Sequence, residues 1–253
     1  MYDDELSVLD AAVGLDSPLD PLDQIPASSE SDGPQYDPNE MLALLSHTDS
    51  QQRMLAARAF CEIQDARAVP QLILLLSDPC PLVRVSAAYG LGRNPNDTAI
   101  EPLIEQFNRD WNGYARKGMI WALGNARDPR VVDPLVDAVK NDISAVRLWA
   151  ASALAQTVNI DYGSMIKAMP PLVQVMRRDP VAAVRSNCAW SIGQICAELP
   201  SNVVYATAID ALIETFAEDD ELGVREDART AILSVGDSRG LQVIEEIEQD
   251  GLF

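Results

Sequence analysis

The chain has 253 residues, of which 47% are hydrophobic and 6% aromatic, and its formal net charge at pH 7 is −20. A charge of this sign repels a polyphosphate backbone, and no basic stripe is present to release counterions, so the composition argues against nucleic-acid binding. No apolar run approaches the roughly 20 residues that cross a bilayer, and no membrane span is predicted.

The acidic charge is concentrated at the two ends of the chain. Residues 1–40 contain eleven acidic residues, five prolines and no Lys or Arg. Such a segment buries too little apolar surface to offset the entropy of an ordered chain, so we expect residues 1–37 to be an acidic, largely disordered segment. Its amphipathic stretch, residues 6–13, is interpreted either as part of a solubilising tail or as an arm that becomes helical on a partner or on the rest of the protein.

The start of the sequence and the cysteines indicate a cytoplasmic protein. The first ten residues lack the basic region of a secretory signal. Four cysteines, at positions 61, 80, 188 and 196, form no CxxC pair and no disulfide-framework spacing, so they are expected to be reduced thiols. Cys188 and Cys196 lie about 12 Å apart along a helix, too far to share a metal. Cys80, between two prolines, is a weak candidate for a metal ligand or regulatory thiol, with an ordinary surface cysteine as the alternative.

From Pro38 onward the chain repeats one phrase, which is clearest at residues 69–92. It contains an apolar run, a corner Asp, an Arg four to six residues later and a helix rich in small residues. The repeated arginines are spaced 31, 32, 31, 38 and 40 residues apart and are Arg53, Arg84, Arg116, Arg147, Arg185 and Arg225. A period of this size is typical of stacked helical hairpins. We therefore predict an all-α, right-handed α-solenoid of about six repeats over residues 38–253, with an acidic C-terminal cap.

The predicted helix pairs follow this period in chain order. They cover residues 40–45 and 51–63, two helices within 69–92, then 100–107 and 113–124, 131–140 and 144–156, 170–176 and 182–196, and 208–217 and 222–233, with a last helix at 239–249. Two inserts, residues 157–165 and 198–205, account for the longer periods. Prolines are expected at or near the start of the first helices, where a missing N–H costs nothing. They are Pro70, Pro102, Pro134, Pro170 and Pro171. The corner Asp is expected to cap the second helix or to meet a repeated Arg, which gives these arginines a structural role.

The phrase resembles the HEAT repeat, in the short HEAT-like form of the phycobilisome (bilin) lyase family. Its Asp-Pro, Val-Arg and small-residue elements stand at residues 78–79, 83–84 and 87–92, and again at 179–180, 184–185 and 188–193. The acidic head and the whole chain are also similar to cyanobacterial HEAT proteins that bind an A-type iron–sulfur carrier. The resemblance implies a binding surface more than a reaction, because one solenoid fold serves many functions.

The candidate binding residues lie on the second helices. Counting from each repeated Arg, positions one, two, five and nine lie off the packed side and are expected to line the concave surface. The large aromatic residues there are Tyr89, Trp121, Trp149 and Trp190. Such a stripe is typical of interface hot spots and also suits a flat tetrapyrrole. The alternative is that each ring merely half-covers the next helix.

Basic residues gather with Trp111 and Tyr114 around the third and fourth repeats. They are Arg109, Lys117, Arg127 and Arg130. This cluster is interpreted as a site for an acidic partner, for a bilin propionate or for the protein's own acidic segment, with a solvated loop as the alternative.

No catalytic residue is assigned, because the sequence has no phosphate loop, nucleophile motif or Cys–His pair. The single histidine, His47, excludes the paired His–Glu iron ligands of hydroxylases with this fold. The first hypothesis is a non-catalytic scaffold that binds a protein on its concave face, either a metallocluster carrier or a client in photosynthetic complex assembly. The alternative is a bilin lyase-type protein or lyase subunit that presents a phycobilin to a phycobiliprotein cysteine. A phycobilin or an iron–sulfur cluster are the candidate cofactors.

Overall fold

The computed structural model describes residues 36–249. Within this range thirteen α-helices, three short 3-10 helices and no strand are present. The helices are α1 (Pro38–Leu44), α2 (Ser50–Ala59), α3 (Val69–Leu75), α4 (Pro81–Arg93), α5 (Asp97–Arg109), α6 (Gly113–Gly124), α7 (Val132–Asn141), α8 (Ser144–Ala155), α9 (Tyr162–Arg178), α10 (Ala182–Glu198), α11 (Val203–Glu218), α12 (Leu222–Val235) and α13 (Ser238–Gln249). Six consecutive pairs and a final helix confirm the predicted all-α solenoid of about six repeats.

The predicted disordered segment, residues 1–37, lies outside the described residues except for its last two positions. Asp37 caps α1, because its carboxylate accepts a hydrogen bond from the Asn39 N–H at 2.9 Å. Pro38 follows as the first helical residue, where a missing N–H is tolerated. Among residues 36–249, no helix combines the length and the apolar character needed to cross a bilayer.

The second helix of each pair forms the more closely packed row. The even-numbered helices α2 to α12 contact their neighbours in that row more extensively than the first helices contact theirs. Small residues make this approach possible: a Cβ on Gly124 would lie 2.8 Å from the Ala153 Cβ, and one on Gly193 would lie 2.9 Å from the Ala231 Cβ. Because closer spacing in one row bends the stack toward it, the second helices form the inner, concave side.

Both inserts contribute residues to helices. A 3-10 turn, Gln156–Asn159, is followed by α9, which begins at Tyr162, and α11 begins at Val203. Pro170 and Pro171 therefore lie inside α9, and Pro102 lies inside α5. The prediction that Pro170 and Pro171 lie at or near the start of a first helix is wrong, and Pro102 is the sixth residue of α5, whereas Pro70 and Pro134 do lie in the first turns of α3 and α7. Pro170 is exposed, so the carbonyl that loses its N–H partner lies on the side of α9 that faces solvent.

A ladder of Arg–Asp pairs joins consecutive repeats and confirms the structural role of the repeated arginines. Each of the first five arginines pairs with the corner Asp of the following repeat: Arg53 with Asp78, Arg84 with Asp110, Arg116 with Asp142, Arg147 with Asp179, and Arg185 with Asp219. Four of these arginines also donate a hydrogen bond to the carbonyl of the corner Asp in their own repeat. The arginines of the ladder thus stabilise the turn between the two helices of their own repeat, and their ion pairs hold the next repeat against it.

Candidate functional site

Trp121 lies on the inner side of the solenoid at the predicted position, but it is only 2% exposed. Its ring covers Gly92 of the preceding repeat so closely that a Cβ on Gly92 would lie 2.3 Å from the ring. The Tyr89 ring packs beside it, with 5.3 Å between the ring centroids and a 53° angle between the planes. Trp121 therefore fills the space that a glycine leaves between α4 and α6.

Trp149 is also buried, at 7% exposure. The ammonium group of Lys117 lies 5.0 Å from the centroid of the Trp149 ring, within the range of a cation–π interaction. This contact joins α6 to α8. Lys117 and Trp149, both predicted to bind a partner, therefore contact each other within the protein.

The expected open aromatic stripe is therefore corrected at Trp121 and Trp149. Gly92 on the preceding second helix leaves room for the Trp121 ring, and the Trp149 ring is buried beside Lys117, so both rings pack between repeats. Tyr89 and Trp190 are half-buried and keep part of their surface accessible. Burial raises the pKa of the Tyr89 hydroxyl to about 12, so this group remains a neutral hydrogen-bonding group at physiological pH.

Among residues 36–249, two buried polar side-chain atoms have no hydrogen-bond partner within the protein. They are Trp121 Nε1 and Ser152 Oγ, which occupy the same position in consecutive repeats. An unsatisfied buried polar group costs on the order of 1–3 kcal/mol, so each atom would gain from a partner or a bound water. Because Trp121 and Ser152 are 2% and 0% exposed, neither atom lies on the surface that a partner protein would contact.

The predicted basic cluster is divided between the two ends of α6. Arg109, Trp111 and Tyr114 lie at the corner where α6 begins, whereas Arg127 and Arg130 follow its end. The twelve residues of α6 span about 18 Å, so the two groups do not form one patch. Arg127 is exposed with a left-handed φ of 50°, and Arg130 pairs with Asp128 and Glu101.

The corners of three successive repeats present large apolar side chains to solvent. Trp111 is 76% exposed and Tyr114 54% exposed, and Leu82 and Ile143 are exposed as well. We call these four residues the corner strip. Two contacts link neighbouring corners: the Arg84 guanidinium lies 5.7 Å from the centroid of the Trp111 ring, and Ile143 covers Gly113, on which a Cβ would lie 2.3 Å from the Ile143 Cδ1.

Sequence reasoning missed Leu82 and Ile143 and grouped Trp111 and Tyr114 with the wrong arginines. The sequence did contain an indication of these residues, in their position within the repeat. All four corner-strip residues precede a repeated Arg by two to five positions, a region where capping and turn formation call for polar residues or proline. Apolar residues at these positions have no packing role within one repeat.

Within residues 36–249, the structure provides no observation that supports a metal site or a reactive thiol. No group of three or more His, Cys, Asp and Glu residues there could hold a metal ion. Cys80 is half-buried, and its N–H donates to Asp78 Oδ1 at the start of α4. Burial raises the pKa of Cys61 to about 11 and that of Cys196 to about 12, so these thiols stay protonated and unreactive.

Comparisons with known proteins place these features in a wider set of repeat proteins. A family model described as HEAT repeats matches residues 38–118 and 100–193, which together are more than half of the chain. An "uncharacterized phycocyanin operon protein Z" from Pseudanabaena tenuis is 29% identical over 180 residues, covering 69% of this chain and 82% of that protein.

Solved structures show the same fold. The complex of CpcE and CpcF of phycocyanin lyase from Nostoc sp. PCC7120 matches with a TM-score of 0.56 and 21% identity, over 87% of this chain and 85% of that one. A designed armadillo repeat protein in complex with peptide (KR)4 matches with a TM-score of 0.60 and 20% identity, over 79% of this chain and 100% of that one. Yeast importin-beta matches with a TM-score of 0.60 and 16% identity, over 86% of this chain and 33% of that one.

Proposed function

We propose, from the premise that this chain belongs to the HEAT-repeat family, that it is a non-catalytic scaffold that binds a partner protein. The observation that carries this proposal is the corner strip, a set of exposed aromatic and aliphatic side chains at the corners of three successive repeats. Burying one large apolar side chain contributes roughly 1.5–3 kcal/mol. A partner that covered these four side chains would gain binding free energy from their burial.

The composition of the corner strip suits a protein partner. Trp, Tyr and Arg are enriched among the residues that dominate binding energy at protein interfaces. Arg109 lies beside the strip with 75% of its side chain exposed, and its only ion pair within residues 36–249 is a 3.9 Å contact with the exposed Glu105. It is thus available to pair with an acidic residue at the rim of the interface.

The inner side supplies the second part of the proposed interface. Tyr89, Trp190 and Lys117 remain candidate contacts, because each of them keeps part of its surface accessible. In this role Trp121 and Trp149 set the spacing of the second helices instead of forming the contact surface. Arg127, at the far end of α6, belongs to this interface only if the partner extends across the full width of the solenoid.

The comparisons favour a client in phycobilisome assembly. The similarity to a phycocyanin operon protein extends over most of that protein, and the fold is shared with the CpcE–CpcF lyase complex. We propose a phycobiliprotein or a second HEAT-like subunit as the partner. An A-type iron–sulfur carrier, which the sequence also suggested, stays a prediction without a supporting observation.

A bilin lyase-type activity is the second candidate function, and the same two similarities favour it. In that case the protein presents a phycobilin, and the nucleophilic thiol belongs to the phycobiliprotein. The thiols of Cys61 and Cys196, with their raised pKa values, fit a chain that supplies no nucleophile of its own. Mixing the purified protein with phycocyanobilin tests this function: a shifted visible absorption band supports it, and an unchanged spectrum contradicts it.

The scaffold function is tested by measuring the binding of the full chain to purified apo-phycocyanin subunits by titration calorimetry. We expect Trp111→Ala with Tyr114→Ala to abolish the binding seen with the wild type. Leu74→Ala is the matched control, because Leu74 is equally exposed but lies on α3, away from the corner strip. Binding that survives the double substitution would contradict the assignment of the strip, and absence of binding by the wild type would contradict this client.

A further inference from the structure

A groove of about 510 Å³ lies between α9 and α11, the first helices of the fifth and sixth repeats. Its floor is apolar and buried and consists of Met169 and Val173. Val203 and Val204, in the first turn of α11, form the opposite wall. Val203 is 79% exposed, so the groove leaves an aliphatic side chain in water.

The groove results from the two inserts. The first helices of the other four repeats have 7 to 13 residues, whereas α9 has 17 and α11 has 16. The second insert contributes Val203 and Val204. The first insert contributes Tyr162, whose hydroxyl accepts a hydrogen bond from Asn202 Nδ2 at 3.1 Å and so holds the starts of the two helices together. The first four repeats form a solenoid without these additions, so stacking alone does not require the groove.

The charges around the groove favour an acidic occupant. Arg177 lines it and pairs with Glu214, while Lys167 on the same helix pairs with Asp133. Arg178 also lines the groove and is exposed, and it forms no ion pair with any residue of the range 36–249. The groove therefore combines an apolar floor with one positive charge that the described part of the chain does not neutralise.

We propose that this groove binds an amphipathic segment of a partner protein, with apolar side chains against Val173 and Val203 and an acidic side chain on Arg178. The groove is open along its length, since Pro170, Gln174 and Thr207 on its borders are all exposed. A small molecule would stay mostly in solvent there, whereas small-molecule sites enclose most of their ligand. An amphipathic helix that places one face in a groove between two helices suits such a shape.

This site is independent of the corner strip, because the strip belongs to the second to fourth repeats and the groove to the fifth and sixth. A partner that used both would contact two separate parts of the solenoid. The inference therefore does not need the phycobilisome client to be correct.

The test is a selection of random displayed peptides on the full-length protein, followed by fluorescence anisotropy of the enriched peptides. We expect them to share two apolar residues at helical spacing and an Asp or Glu. Val203→Asp should weaken their binding at least about tenfold, since it places a charge in the apolar wall. Leu74→Asp, an equally exposed change on α3, should leave their affinity unchanged.

A charge-reversal selection provides the second arm. Selection on Arg178→Glu should enrich Lys or Arg in place of the acidic residue. The proposal is overturned if the peptides bind Val203→Asp as tightly as wild type, if Arg178→Glu still selects acidic peptides, or if no enriched peptide depends on Val203. Peptides that lose binding with Trp111→Ala but not with Val203→Asp belong to the corner strip, and that result rejects the groove without affecting the scaffold function.

Discussion

Arg84 and Asp110 are 26 residues apart in sequence but are joined by two hydrogen bonds across adjacent repeats. Arg84 Nε donates to Asp110 Oδ2 at 2.6 Å, and Arg84 Nη2 donates to Asp110 Oδ1 at 2.8 Å. Their side chains are 6% and 0% exposed. Asp110 also accepts the N–H of Asn112, which sets the corner that holds Trp111. The pair thus links the stacking of the repeats to the placement of the exposed tryptophan.

Removing one partner of this pair should destabilise the protein strongly. Asp110→Ala leaves the Arg84 guanidinium buried without its carboxylate, and breaking a buried pair in this way costs about 3–5 kcal/mol. We expect a clear fall in the free energy of unfolding, measured by urea denaturation followed by circular dichroism. Arg109→Ala, next in sequence but with 75% of its side chain exposed, should change stability by less than about 0.5 kcal/mol. Equal effects of the two substitutions would contradict the ladder as a stabilising element.

The ladder should also make stability depend on pH at the acidic end. Burial alone would raise the pKa of the Asp110 carboxyl, but hydrogen bonds from Arg84, the Asn112 N–H and Gln106 outweigh it, and the pKa lies below its usual value. A pKa that is lower in the folded state stabilises the protein above the unfolded value of about 3.9 and loses this contribution as the pH falls through the folded value.

The expected result is a decrease in the free energy of unfolding below about pH 4, measured by urea denaturation across the acidic range. The carboxyls of Asp78 and Asp219 have lowered pKa values as well, since ladder arginines and backbone N–H groups outweigh the effect of their burial. Asp110→Asn removes one titrating group, so its stability should depend less steeply on pH than that of the wild type. A variant as steep as the wild type would show that Asp110 is not part of this effect.

Trp111 and Trp121 should respond to substitution in opposite ways. Trp121→Ala should lower stability by roughly 3–5 kcal/mol, because it leaves a cavity between α4 and α6. Trp111→Ala should leave the melting temperature nearly unchanged, because its side chain is 76% exposed, and should instead weaken partner binding by about 2 kcal/mol or more. Thermal unfolding and titration calorimetry on both variants separate the two roles. A Trp121→Ala variant as stable as the wild type would contradict the burial of Trp121 and favour the open aromatic stripe that the sequence predicted.

The contact between Gly92 and Trp121 should appear as an energetic coupling. Gly92→Ala places a Cβ 2.3 Å from the Trp121 ring and should cost about 1–3 kcal/mol through overpacking. In the background of Trp121→Leu the same change should cost much less, because the smaller side chain leaves room for the new methyl group. A double-mutant cycle from urea denaturation gives the coupling. Additive effects would show that the two residues do not contact each other.

The repeat period was sufficient to predict the class of fold and most of the helices. Gly113–Gly124 begins and ends where the sequence placed it, because the corner residues before it and the small residues within it act locally. The structural role of the arginines was also predictable, since charged residues at a fixed period within apolar repeats need partners of opposite charge. The helix start at residue 170 was predicted wrongly, because α9 begins eight residues earlier, at Tyr162, and continues through both prolines.

Stacking decided what the sequence left open. One repeat contains both an Asp and an Arg, but only the offset between repeats shows that Arg84 meets Asp110 and not Asp78. The burial of Trp121 depends on a glycine 29 positions earlier, on another helix, and the basic cluster is divided because α6 separates its two ends. The amino-acid order thus determined the hairpins, since caps, turns and periodicity act over a few residues. Which side chains remain in water was determined by contacts between repeats, which form only when the hairpins stack.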